Sequence, residues 1–74
     1  MKTVNPMKRL ALIRAGVKNL KEFGYPAVTA ENILTDYVFA AFFKSMLEDN
    51  KGKGADAEID DLLAVIETNK GAAT

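Results

Sequence analysis

The sequence predicts a small all-α domain, a three-helix bundle with helices at about 6–23, 30–49 and 56–69 that assembles through the central one. Three observations lead there. Apolar residues recur at spacings of three and four in three separate stretches, with no alternation of the kind a strand shows. Asn, Thr, Gly and Pro fall between those stretches, where helices start and stop. The middle stretch carries more apolar side chains than one helical face holds.

Asn5-Pro6 opens the first helix, with Asn as N-cap and Pro at the first helical position, where its missing N–H costs nothing. Leu10, Ile13, Val17 and Leu20 form its apolar stripe. Gly24 ends it by taking the left-handed conformation, and Tyr25-Pro26 prevents continuation. Gly16 sits mid-helix at a cost of about 1 kcal/mol against Ala, and is expected to be tolerated rather than required by a close approach.

Thr29 is the expected N-cap of the second helix, with Val28 and Ile33 in the positions of a hydrophobic staple. That helix should run to Asp49. Residues 50–55, with Asn50, Gly52 and Gly54 around two lysines, should form a flexible polar linker. The third helix starts near Asp56, whose charge and that of Glu58 suit the positive end of the helix dipole. Ile59, Leu62, Leu63 and Ile66 supply its stripe, and Gly71 should stop it. Residues 1–4 and 71–74 are expected to fray, and 1–74 as a whole to be a single helical domain.

Placed on one wheel, residues 30–49 put Leu34, Tyr37, Val38, Ala41 and Phe42 on one side and Phe39, Phe43 and Met46 nearly opposite. Ile33, Ala40 and Leu47 lie between, and the polar Asn32, Thr35, Asp36, Lys44 and Ser45 are scattered. Two flanking helices cover a stripe of roughly 100° apiece. The uncovered remainder predicts an interface made by Phe39, Phe43 and Met46, with Leu47 at its edge. Its simplest occupant is a second copy of the chain, because two-fold homodimers are the commonest oligomer.

Composition narrows the chemistry. The 74 residues contain neither Cys nor His, which excludes disulfides and thiolate metal sites and removes the commonest general base. A domain this short is marginal without such staples, which favours tight helix packing or a partner. Formal net charge is zero, but its placement is uneven. Lys2, Lys8, Arg9, Arg14, Lys18 and Lys21 crowd the first helix and its leader, opposed by Glu22, whereas Asp56, Glu58, Asp60, Asp61 and Glu67 crowd the third. This segregation suits two solvated faces, or attraction between the two helices. It also leaves Arg14, Lys18 and Lys21 in one stripe as a candidate for phosphate contact.

A helix-turn-helix reading fails at the start of the second helix, where Ala30-Glu31-Asn32 and then Asp36 would meet phosphate with negative charge. An EF-hand counted from Asp49 fails because Lys51 and Lys53 occupy ligand positions. The acids Asp56, Asp60 and Asp61 suit a solvated first turn better than a cation site. No nucleophile lies in an activating motif, Gly52-Lys53-Gly54 has no phosphate-loop spacing, and the adjacent Asp60 and Asp61 do not converge.

The longest apolar run, Tyr37 to Phe43, is far short of the ~20 residues that span a bilayer. The start has no signal-peptide pattern. A membrane-surface role is disfavoured because the first helix lacks an aromatic anchor before Phe23 and needs its stripe for the core. The expectation is a cytoplasmic, non-enzymatic helical interaction or assembly module that self-associates as a homodimer or higher oligomer, with no cofactor, no metal and no membrane contact. The alternative is a small regulator touching nucleic-acid backbone through the first helix.

Overall fold

Each of the first two helices starts where a short polar side chain takes up free backbone N–H groups. In the computed structural model, which describes residues 3–72 with side chains to Asn69, three α-helices pack together. They are α1 (Pro6–Glu22), α2 (Tyr37–Asp49) and α3 (Asp56–Ala72), and no strand occurs among the described residues. The outermost residues expected to fray, 1–2 and 73–74, lie outside the described residues. The radius of gyration is 11.8 Å, close to the roughly 11 Å of a folded domain this long.

Helix α1 begins as expected: Asn5 is extended, and its Oδ1 accepts from the N–H groups of Met7 at 2.9 Å and Lys8 at 3.3 Å. In a capping box the third helical residue would accept the cap's own N–H. That residue is Lys8, which has no acceptor, and Glu58 of α3 takes the role at 2.7 Å. Glu58 is only 4% exposed, so the two helix starts are tied by a partly buried bond. Lys8 Nζ donates to the Gly54 carbonyl, and Arg9 pairs with Asp61 at 2.8 Å, extending the same seam.

The end of α1 is a Schellman motif. Tyr25 N–H bonds the Leu20 carbonyl and Gly24 N–H the Lys21 carbonyl, with Gly24 at φ +100°.

The chain does not enter its second helix at residue 30. Thr29 and Asn32 do form a reciprocal cap, each side chain accepting the other's backbone N–H. That cap serves a single 3₁₀ turn, Asn32–Leu34. Asp36 then turns extended, at φ −70° and ψ 130°, and its Oδ1 caps α2 through Val38 N–H and Phe39 N–H. Two capping signals stand seven residues apart, and the second one interrupts the helix predicted for 30–49. The 50–55 connection also carries specific bonds: Asn50 Nδ2 donates to the Met46 carbonyl, and Gly52 N–H to Asp56 Oδ1. Helix α3 runs through Gly71 to Ala72, past the end expected at 69.

The core is Ile13, Leu20, Val28, Ile33, Ala40, Phe43, Leu47, Ile59, Leu62 and Ile66. Helices α2 and α3 run antiparallel, with Lys44 on Glu67 and Lys51 on Asp60. Gly16, expected to be merely tolerated, is where α1 meets the rest. A Cβ built there would lie 2.6 and 2.7 Å from two ring carbons of Phe43 and 2.9 Å from Cδ1 of Ile33. Both side chains are buried and cannot give way cheaply.

Gly16→Ala is therefore expected to lose about 1–2 kcal/mol in urea unfolding, because overpacking outweighs the helix propensity gained. Combining it with Phe43→Leu should cost less than the sum of the two single changes. Glu58→Ala should cost about 1–3 kcal/mol by orphaning a partly buried donor, and Glu58→Gln, whose amide oxygen still accepts, clearly less.

Candidate interaction site

Packing against the other elements decides which face of α2 is wet. Ala40, Phe43 and Leu47, at spacings of three and four, are buried against α1, α3 and the 3₁₀ turn. Phe39 and Met46 flank them and are half-buried. The face expected to be an interface is thus the one that faces the core of the single chain. Phe43 is 1% exposed and Leu47 0%, so neither is available to a partner. The reason is packing: Phe43 lies against Gly16 of α1, and Ile33 and Leu34 belong to a separate turn and do not extend this helix.

The opposite face looks outward. Tyr37 is 77% exposed, Val38 45% and Phe42 46%, with Ala41 and Ser45 exposed among them. Across from Phe42 stands Phe23, the residue that caps the end of α1, at 76% exposure. Between them lies a groove of about 300 Å³, floored by Gly16, Leu20 and Phe43 and edged by Asn19, Ser45, Met46 and Asp49. Tyr25, held by the turn after α1, packs one side of the aromatic cluster. Its ring lies edge-on to Phe39 at 5.9 Å between centroids and tilted against Phe42 at 5.5 Å. Asn19 Nδ2 approaches the Met46 sulfur at 3.2 Å, which pins the groove's edge. Of the four residues expected at the interface, Met46 stands at this groove's rim and Phe43 at its floor, and Phe39 and Leu47 do not line it. Phe23, Tyr37, Val38 and Phe42 were not on that list.

The basic stripe is where the spacing put it. Arg14, Lys18 and Lys21 are all exposed on α1 and line a shallow depression of about 520 Å³ with Val17, Glu22 and Ala30. None of the three pairs with an acid among the described residues. The acids of α3 are engaged elsewhere: Asp61 with Arg9, Glu67 with Lys44, Asp60 with Lys51, and Asp56 with the Gly52 N–H. Among the described residues no group of three acids converges as a metal site. No described helix is long and apolar enough to cross a membrane. Neither family models, nor curated proteins, nor solved structures match this chain.

The division between the two faces of α2 is checkable by unfolding. Phe43→Ala should cost about 3–5 kcal/mol, as for a fully buried phenylalanine, and Leu47→Ala about 2–5 kcal/mol. Val38→Ser and Tyr37→Ser, on the wet side, should each stay within about 1 kcal/mol of the parent when unfolding is measured at a dilution where the chain is monomeric.

Proposed function

We propose that this chain is a non-enzymatic association module that pairs with a second copy of itself through the aromatic face of α1 and α2. The observation that carries the reading is Phe23 and Phe42, which line one groove, with Tyr37 and Val38 further along the outer side of α2, all left in water by a chain whose core is already closed. At about 150–250 Å² per aromatic side chain, the exposed parts of Phe23, Tyr37 and Phe42 amount to on the order of 400 Å². That is about half of the roughly 800 Å² each partner contributes to a stable interface.

A second copy suits the geometry because the surface offers both halves of a contact. Phe23 and Phe42 project, and the groove between them, at about 300 Å³, has room for a phenyl ring; a cavity of about 150 Å³ accepts benzene. A two-fold axis beside the groove lets each protomer insert an aromatic ring into the other, which is the self-complementarity an isologous dimer requires. Asn19, Ser45 and Asp49 supply a polar rim around the apolar centre. Apolar burial drives the pairing, and no reaction is asked of any side chain.

Light scattering on a sizing column at micromolar concentration is expected to give twice the chain mass. Phe42→Glu should return the monomer with circular dichroism unchanged, because that side chain lies outside the core. A wild-type monomer at that concentration, or a Phe42→Glu variant that still pairs, would refute the reading.

A further inference from the structure

The face of α1 that the core leaves free is built differently from the aromatic groove. The core takes Ile13, Gly16 and Leu20 from this helix. That leaves Met7 at 73% exposure and Leu10 at 38% on the outer side, in line with Arg14, Lys18 and Lys21. From residue 7 to residue 21 the stripe runs about 21 Å at 1.5 Å per residue. It has an apolar end and a cationic end. The objection that the apolar stripe of α1 is consumed by the core therefore does not apply to Met7 and Leu10.

We propose that this stripe docks the protein on the surface of an anionic phospholipid bilayer. Charge complementarity supports that occupant, since the three cations have no acidic partner among the described residues. Their depression has Val17 and Ala30 among its lining residues and a single acid, Glu22, at one end. Cationic side chains beside an apolar end match an amphiphile: phosphates meet Arg14, Lys18 and Lys21, while Met7 and Leu10 enter the acyl boundary. Nucleic-acid backbone offers phosphates but gives the apolar end nothing to bury. The proposal is independent of the dimer interface, which lies on other residues, and a two-fold pair would strengthen binding if both stripes reach one surface.

The test is co-sedimentation of the full chain with phosphatidylcholine vesicles that contain or lack phosphatidylglycerol, with duplex DNA titrated in parallel. Binding is expected to the anionic vesicles alone, falling as salt is raised. Each cation is worth about fivefold in partitioning, so Arg14→Gln/Lys18→Gln/Lys21→Gln should weaken binding at least tenfold. Met7→Ser should weaken it severalfold while leaving the circular dichroism melt unchanged, since that side chain is outside the core. No binding to anionic vesicles at low salt overturns the proposal, as does DNA binding at least as tight as vesicle binding. Vesicle binding that ignores either the triple substitution or Met7→Ser overturns it as well.

Discussion

Phe43 lies against the backbone of α1 because residue 16 has no side chain. This close approach sets the rotation of α2, and the rest of the surface follows from it. With Phe43 turned inward, Ala40 and Leu47 follow at helical spacing, and Ile33 fills the neighbouring space from the 3₁₀ turn. Helical geometry then leaves Tyr37, Val38 and Phe42 pointing outward. A glycine that costs α1 some intrinsic stability thus fixes which aromatic residues are core and which are surface.

A second constraint acts at the other end of α1. A buried carboxylate from α3 completes the cap of α1, so the ends of two helices distant in sequence are locked by one bond. Arg9 with Asp61 and Lys8 with the Gly54 carbonyl add exposed or half-exposed contacts beside it, worth little singly but consistent in register. The segregation of charge between α1 and α3 is in part this seam. It uses Lys8 and Arg9 of α1 with Glu58 and Asp61 of α3, and leaves Arg14, Lys18 and Lys21 unpaired among the described residues.

The start and end of α1, the start of α3 and the stripe Ile59, Leu62 and Ile66 were legible from caps and spacing alone, because those signals are local. The entry to α2 was not. Thr29 and Asn32 do cap a turn, but Asp36 is an equally good cap, and no local rule ranks two such residues in series. Ile33 and Leu34, counted with this helix, complete an apolar ring around it, although they belong to the preceding turn. Drawn from Tyr37, the same residues place Ser45, Glu48 and Asp49 beside Tyr37, Val38 and Phe42, which marks that side as the wet one. The role of Gly16 depends on a ring twenty-seven positions away, and the role of Glu58 on an N–H more than fifty positions back. Neither is visible in a local pattern.

The proposed pairing and the proposed lipid contact both require that the outward side of α2 and the outward side of α1 are the ones described. The absence of cysteine from the sequence makes the orientation of α2 directly measurable. Phe42→Cys and Phe43→Cys, prepared singly and diluted to where the chain is monomeric, are reacted with a thiol reagent under native conditions. The thiol introduced by Phe42→Cys should react rapidly, and that from Phe43→Cys only as denaturant unfolds the chain. Comparable native rates at the two positions, in variants that keep their helical circular dichroism, would contradict the account.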